Sequence, residues 1–211
     1  MTAPANWPAL SLKEIEDRLC APGQKFEMET VDVQGIPTRT WKNGIHNLRS
    51  LADLGRSHGD HDFTVYEDER VSYEGWYRAT AAFAKYLLEA GVQKGDRVAL
   101  AMRNLPEWPV MYFAATSIGA IIVPLNAWWT GQELSFGVEN SEAKIFICDC
   151  WIWDKWKDEL KAVAGVETFI VSRDTSGSDD IVTLESIIGK PAEYMALPDQ
   201  SIPDVEIHPD D

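Results

Sequence analysis

The sequence is poor in cysteine and in positive charge. It contains three cysteines, Cys20, Cys148 and Cys150, and an odd, small number favours reduced thiols in the cytoplasm over a secreted disulfide framework. Nineteen Lys and Arg stand against 34 Asp and Glu, which gives a formal net charge of −15. Nucleic acid and anionic lipid attract basic surfaces, so this charge balance makes nucleic acid an unexpected partner.

The sequence also lacks a long apolar run. Its first 19 residues hold no basic segment followed by an apolar core, and no later stretch reaches the roughly 18 apolar residues that a membrane span needs. We therefore expect neither an export signal nor a transmembrane segment. The 45% of hydrophobic residues is still sufficient for a packed core.

Glycine-rich phosphate-binding motifs are missing as well. Neither G-x-G-x-x-G nor G-x-x-x-x-G-K-[ST] occurs, and the nearest candidate is the TSGS segment at residues 175–178. Asp179 and Asp180 follow it directly, and two carboxylates there repel a triphosphate. We interpret this segment as a solvated surface loop.

Two residue pairs have metal-ligand spacing. His58 and His61 stand three apart, and Cys148 and Cys150 project from the same side of a predicted strand. Metal sites usually need three or four protein ligands, and neither pair has a further ligand beside it in the sequence. The sequence therefore predicts no metal site, and Cys148 is interpreted as a buried apolar residue.

The N-terminal extension, residues 1–46, is predicted to form a helix and a β-ribbon. Ser11 and Glu14 make a capping box for a helix over residues 11–19. Alternating apolar residues from Phe26 to Val33 indicate extended chain, and Gln34-Gly35 can turn it back towards residues 38–41.

Residues 47–190 have the alternating pattern of an α/β domain. A capped helix after Asn47, a hairpin ending near Ser72 and a helix closed by Gly91 come first. Strands are then predicted at residues 97–102, 120–125, 144–148 and 168–171, separated by helices at residues 104–119, 130–140 and 153–163, with a weak helix at residues 184–188. This spacing predicts a mostly parallel sheet flanked by helices. Residues 191–211 are acidic and contain proline, and we interpret them as an extended or disordered linker.

Trp128 and Trp129 are the candidate substrate-pocket residues. They follow directly after a predicted buried strand, where the ligand site of a parallel sheet lies, and could form an apolar wall for an acyl or aromatic substrate. The alternative is core packing, which is the commoner fate of large aromatic side chains. If Trp128→Ala leaves the substrate affinity of the complete enzyme unchanged, the pocket interpretation is excluded.

Four segments carry a family resemblance. They are VSYEGW at residues 71–76, GVQKGDRVAL at 91–100, RNLPEW at 103–108 and GAIIVPLNAWWTGQEL at 119–134. In order and spacing they resemble the N-terminal part of AMP-forming acyl-CoA synthetases, which share a superfamily with luciferases and peptide-synthetase adenylation domains. The segment VDVQGIPTRTWKN at residues 31–43 is similar to the entry segment of bacterial fatty-acid–CoA ligases.

The resemblance implies a two-step reaction. A carboxylate attacks the α-phosphate of ATP to give an acyl-adenylate and pyrophosphate, and the thiol of CoA then displaces AMP, with Mg²⁺ as a further cofactor. The family's phosphate loop, its adenine-binding and Mg²⁺-binding segment, its ribose-binding Asp and its C-terminal Lys have no matching positions here. The resemblance therefore assigns no catalytic and no cofactor-binding residue to this chain, which is expected to be an inactive N-terminal fragment.

Two other functions stay open. The chain could be a non-catalytic scaffold or a split-protein half that docks a separate chain, or the N-terminal part of an adenylation domain that feeds a carrier protein. In the ligase interpretation the acid is expected to be a medium-chain or long-chain fatty acid. A subdomain separated from its neighbours exposes apolar surface, so self-association is expected in each case.

Overall fold

The computed structural model describes residues 10–208. The first nine residues of the N-terminus and the acidic end at residues 209–211 lie outside the described residues, and the expectations placed on them stay predictions. The described chain divides into two compact units, residues 10–46 and residues 47–207. Within residues 10–208, no helix is both long enough and apolar enough to cross a bilayer.

The first unit contains the predicted helix and ribbon. Helix α1 spans Leu12–Leu19, and Ser11 and Glu14 form its capping box. Strands β1 (Met28–Val33) and β2 (Ile36–Trp41) pair in antiparallel register, and β2 begins two residues earlier than expected. Its turn is Gln34-Gly35, and both residues have positive φ (52° and 82°), as a type I′ turn requires. None of the described residues of this unit is fully buried.

The second unit opens with a helix, a hairpin and a long helix. These are α2 (Leu48–Arg56), β3 (Asp62–Tyr66), β4 (Glu69–Ser72) and α3 (Tyr73–Glu89). The Asn47 side chain caps α2 by accepting from the N–H of Ser50, as predicted. At the end of α3, Gly91 has φ +86° and the N–H of Val92 donates to the carbonyl of Leu87, which is the predicted glycine cap.

A five-stranded parallel sheet follows, and it confirms the predicted fold class. Its strands are β5 (Arg97–Ala101), β6 (Ile121–Pro124), β7 (Ile145–Asp149), β8 (Thr168–Ser172) and β9 (Val182–Thr183). The spatial order is β6-β5-β7-β8-β9, and every pair is parallel. The two-residue strand β9 was not predicted.

Helices cover both faces of this sheet. They are α4 (Glu107–Ser117), α5 (Gly131–Ser141), α6 (Cys150–Lys161) and α7 (Leu184–Ile188). Side chains alternate along each strand, so β5 sends Val98 and Leu100 into one core with α3, α4 and α7. It sends Ala99 and Ala101 into the other core, with α5 and α6.

Helix α4 starts later than the sequence suggested. It was expected from Asn104 but begins at Glu107, after Pro106. The residue before a proline is pushed away from the helical region, so Leu105 cannot continue a helix into Pro106.

Residues 191–207, interpreted above as an extended or disordered linker, pack into the second unit. Pro191–Ala196 form a 3₁₀ helix, and Tyr194 and Ile202 are 1% and 5% exposed. Arg78 on α3 donates to the carbonyls of Met195 and Leu197, both at 3.1 Å. The buried apolar residues of this segment are irregularly spaced, so no periodic pattern predicts that it packs. Its other contacts come from arginines that are distant in the sequence. We call residues 191–207 the strap.

Candidate functional site

The second unit has a topological switch point at the carboxyl edge of its sheet. From strand β5 the chain moves outward to the edge strand β6, then crosses back to β7 on the other side of β5. Right-handed crossovers place the connecting helices α4 and α5 on opposite faces, which leaves a crevice at the carboxyl ends of β5 and β7. Parallel sheets of this kind bind ligands in that crevice.

Two adjoining clefts lie at this edge, and we call them together the strand-end groove. One has a volume of about 280 Å³ and the other about 340 Å³, and both are lined by Asn104 and Trp108. The remaining lining residues are mostly apolar: Met102, Leu105, Pro106, Pro109, Pro124, Leu125, Ala127 and Trp128, with Thr64, Val65, Tyr66, Arg103 and Asn126. A mainly apolar groove with a few polar groups is the usual character of a small-molecule site.

A buried ion pair closes the floor of the crevice. Asp149, at the end of β7, has no exposed surface and accepts from both the main-chain N–H and the Nε of Arg103, each at 3.0 Å. Its other oxygen accepts from the N–H of Ile152 and caps α6. The guanidinium of Arg103 therefore pairs with this carboxylate through Nε, and its side chain stays 33% exposed.

The two predicted pocket residues, Trp128 and Trp129, lie in different surroundings in the structure. Trp128 is 73% exposed, lines the strand-end groove and meets the ring of Trp151 edge-on at 5.3 Å between centroids. Core packing is therefore wrong for Trp128. Trp129 lies against α5, where its ring comes within 3.3 Å of the position that a Cβ on Gly137 would take.

The candidate metal and thiol residues do not assemble into a site. Cys148 is buried, and burial raises the pKa of its thiol well above the usual value. Burial and the charge of Asp149 also raise the pKa of Cys150, the reverse of what a nucleophilic thiol needs. The ring of His58 packs against that of Tyr73, with 4.7 Å between centroids and a tilt of 40°. Among residues 10–208, no group of three or more His, Cys, Asp or Glu side chains is arranged to hold a metal ion.

The loop at residues 175–178 has the predicted solvated character. Ser176 and Gly177 are exposed, and the carboxylate of Asp174 accepts from the main-chain N–H and the hydroxyl of Ser176. The loop thus satisfies its own polar groups.

Sequence reasoning missed a cluster of charges around Arg173. The Arg173 guanidinium donates to both carboxylate oxygens of Glu69 (3.0 and 2.8 Å) and to both of Glu107 (2.8 and 3.2 Å). Its main-chain N–H donates to Glu185 at 2.6 Å. Glu107 is 1% exposed, and burial raises its pKa although Arg173 opposes the shift. The sequence signal for this cluster was an acidic residue, Glu107, among the apolar residues of α4. Local spacing could not reveal the cluster, because Glu107 and Glu69 lie 66 and 104 residues from Arg173.

Comparison with known proteins agrees with this geometry. The profile of the family described as AMP-binding enzyme matches residues 51–211. The crotonobetaine/carnitine–CoA ligase of Salmonella typhimurium is 30% identical over 121 residues, which are 54% of this chain and 23% of the relative. The chain thus spans about a quarter of the length of the curated relatives it matches.

Solved structures share the fold at low sequence identity. Coronafacic acid ligase from Pectobacterium brasiliense superposes with a TM-score of 0.64 and 23% identity, over 70% of this chain and 30% of that one. The N-terminal domain of FACL13 from Mycobacterium tuberculosis gives 0.61 and 24%, over 77% of this chain and 38% of that one. With the family profile matching more than half of its residues, the chain belongs to the AMP-binding enzyme family.

Proposed function

We propose that this chain is the N-terminal part of an ATP-dependent, AMP-forming carboxylic acid–CoA ligase. Such an enzyme joins a carboxylate to AMP with release of pyrophosphate, and then transfers the acyl group to the thiol of CoA. The observation that carries the proposal is the family match over residues 51–211. The parallel sheet with its crevice at the carboxyl edge supports it, as do the relatives named as ligases of crotonobetaine or carnitine and of coronafacic acid.

The described residues do not fit ATP or its metal by themselves. Arg103 and Arg173, the arginines at the carboxyl edge, are already paired with carboxylates, and the loop at residues 175–178 is followed by two acids. The described residues of this edge contain no glycine-rich turn of the kind that holds a triphosphate. We therefore assign no step of the reaction to these residues and infer that the 211-residue chain alone is inactive.

The strand-end groove supports a role in holding the acid. Trp108, Trp128 and Leu125 offer apolar surface, and Asn104 and Asn126 offer amide groups. Burial of apolar surface contributes roughly 25 cal/mol per Å², so these walls favour an extended acyl or aromatic group over a small polar acid. On this basis we propose a medium-chain or long-chain fatty acid as substrate, and the unbridged thiols support a cytoplasmic setting.

The test of the ligase proposal is thioester formation by the protein from its complete reading frame, assayed with ATP, Mg²⁺, CoA and carboxylic acids of graded length. The proposal predicts acid-dependent release of pyrophosphate and formation of acyl-CoA. Failure with every acid, together with tight binding of a separate protein chain, favours the scaffold function instead.

The groove has its own test in that enzyme. Trp128→Ala is expected to raise the KM for the acid by about tenfold, the equivalent of 1.4 kcal/mol of lost contact, without changing the KM for ATP. Phe136→Ala is the matched control, because Phe136 is a similarly exposed aromatic (68%) on the neighbouring helix α5. An unchanged KM for the acid in Trp128→Ala excludes Trp128 from the pocket.

A further inference from the structure

The two clefts of the strand-end groove differ in polarity. The cleft of about 280 Å³ is lined by Arg103, and we call it the arginine cleft. The cleft of about 340 Å³ is lined by Val65 and Tyr66 of strand β3, and we call it the hairpin cleft. Among the described residues that line the groove, Arg103 alone carries a charge. The groove is therefore charged on one side and uncharged on the other.

Arg103 makes the arginine cleft the place for the carboxylate of an acid. Its guanidinium donates to Asp149 through Nε, and its side chain stays partly exposed. A guanidinium has five N–H donors in a fixed fork, so the bond through Nε leaves donors at Nη1 and Nη2 for a second carboxylate. The uncharged hairpin cleft suits the apolar tail of the same acid.

Trp108 lies on the boundary between the two clefts. It lines both of them, together with Asn104. Asn104 offers a short polar side chain, whereas Trp108 presents a large apolar ring. An acyl chain that extends from the arginine cleft into the hairpin cleft must therefore pass this ring.

The ring of Trp108 is held in place by other aromatic rings. It stacks on the ring of Tyr112, one turn further along α4, with 5.2 Å between centroids and 14° between the ring planes. Tyr112 meets Phe113 edge-on at 5.6 Å, and Phe113 meets Trp76 edge-on at 5.0 Å between centroids. Trp76 is buried, so this row of rings ends in the core. A ring fixed in this way forms a wall between the clefts.

The volumes of the clefts indicate how much of an acid each can hold. Small-molecule sites usually measure about 300 to 1,000 Å³. Each cleft alone lies near the lower limit of this range, whereas the two together lie well inside it. The arginine cleft thus suits a short acyl chain, and a long chain needs the hairpin cleft as well.

We propose that Trp108 determines the length of the acyl chain that the strand-end groove accepts. With its carboxylate at Arg103, an acid of medium length ends against the Trp108 ring and stays within the arginine cleft. A longer acid must displace the ring from Tyr112 to reach the hairpin cleft, so the unmodified protein prefers the medium length. This inference rests on the proposed function, in which the groove holds the acid, and it adds the residue that selects the acid.

The test is calorimetric titration of the protein from its complete reading frame with octanoate and with myristate, without ATP or CoA. The measured quantity is the ratio of the two dissociation constants, myristate over octanoate. In Trp108→Ala the hairpin cleft becomes open to the chain, and this ratio is expected to fall at least tenfold. Trp108→Phe keeps a ring against Tyr112 and should lower the ratio by a smaller factor. Trp41→Ala is the matched control, because Trp41 is an exposed tryptophan of β2 that lines neither cleft.

A second substitution distinguishes an opened cleft from general damage to the fold. Val65 lines the hairpin cleft and is exposed, so the fold tolerates a larger side chain there. When Val65→Trp is added to Trp108→Ala, the new ring should block the hairpin cleft and restore the ratio. Octanoate should bind as it does to Trp108→Ala alone.

An unchanged ratio in Trp108→Ala excludes Trp108 as the determinant of chain length, and so does a lowered ratio that Val65→Trp fails to restore. If neither acid binds the unmodified protein, both this inference and the role of the groove in holding the acid are wrong. The titration involves no catalysis, so these results are independent of thioester formation. Failure of thioester formation overturns the ligase proposal and leaves the measured ratios unaffected.

Discussion

At the scale of single residues, the arginines of the second unit are committed to structural partners. Arg56 pairs with Glu74 and Asp199, Arg103 with Asp149, and Arg173 with Glu69 and Glu107. Others bind main-chain carbonyls: Arg49, Arg78 and Arg97. The guanidinium of Arg173 makes four hydrogen bonds to carboxylates and so has few donors left for phosphate, whereas that of Arg103 donates to its carboxylate through Nε only.

Asp149 is expected to be the most sensitive of these partners. The substitution Asp149→Ala leaves Arg103 without its carboxylate partner and removes the side-chain cap of α6. We therefore expect the free energy of unfolding to fall by about 3 to 5 kcal/mol. Urea unfolding measures this. Asp149→Asn, which keeps the capping oxygen, should lose less. The exposed Asp158→Ala on the same helix should change stability by less than about 0.5 kcal/mol, and an equal loss there contradicts the prediction.

Glu74 should give the fold a measurable dependence on acid. Arg56 donates to both of its oxygens and Arg78 to one of them, all at 2.8 Å, and these bonds lower its pKa from 4.5 to about 2. A lowered pKa stabilises the fold above pH 4.5, and this stabilisation is lost as the pH falls towards 2. The shift corresponds to an energy on the order of 3 kcal/mol.

We expect Glu74→Gln to be less stable than the unmodified chain at pH 7, with a gap that narrows as the pH falls from 4.5 towards 2. Urea unfolding at several pH values measures the gap. Burial raises the pKa of Glu107, so its contribution to the pH dependence of stability has the opposite sign. Because Glu107 is present in both proteins, this contribution cancels when their free energies of unfolding are subtracted. A gap that stays constant over this range contradicts the assignment to Glu74.

At the scale of elements, the sequence predicted those whose signals are local. The capping box at Ser11, the cap at Asn47 and the glycine after α3 all stand within four residues of the helix ends they mark. The strap, β9 and the Arg173 cluster were missed. The strap and the Arg173 cluster depend on partners far along the chain, as when Arg49 on α2 binds the carbonyl of Val205, 156 residues away. Strand β9 has only two residues, which is too short for an alternating pattern. The sequence left two environments open for Trp128, a pocket wall or the core, because aromatic content alone does not determine which ring the fold leaves exposed.

The contact of α5 with α6 depends on Gly131. A Cβ at this position would lie 2.8 Å from Cε3 of Trp156, a rigid ring, so Gly131→Ala forces the helices apart. Overpacking costs about 1 to 3 kcal/mol and exceeds the 0.5 to 1 kcal/mol that alanine gains over glycine in a helix. Thermal unfolding measures the loss. Gln132→Ala should be neutral, and Trp156→Leu should restore most of the stability; an unchanged melting temperature in Gly131→Ala refutes the close contact.

The strap depends on Arg78, which donates to two of its carbonyls. Arg78→Ala is therefore expected to speed amide hydrogen exchange across residues 195–205 by at least tenfold, while the strands β5, β7 and β8 keep their protection. Arg70→Ala is the control, because Arg70 binds carbonyls of its own hairpin, Glu67 and Glu69. Equal exchange in both variants shows that the strap does not rely on Arg78.

At the scale of the whole molecule, the described residues of the second unit combine a sheet that is buried on both faces with an open groove at one edge. Both faces of the five-stranded sheet are buried, and its carboxyl edge presents the strand-end groove. In the first unit the apolar side chains of Leu12 and Ile36 are 87% and 66% exposed. Self-association of the 211-residue chain stays a prediction, and sedimentation velocity over a range of concentrations tests it.

The most direct test of the account is acid-dependent exchange of pyrophosphate into ATP, measured under identical conditions for the 211-residue chain and for the protein from its complete reading frame. The account predicts exchange with fatty acids for the complete protein and none above background for the 211-residue chain. Exchange catalysed by the 211-residue chain itself contradicts it, because these residues would then contain the adenylation site that their paired arginines are inferred to exclude.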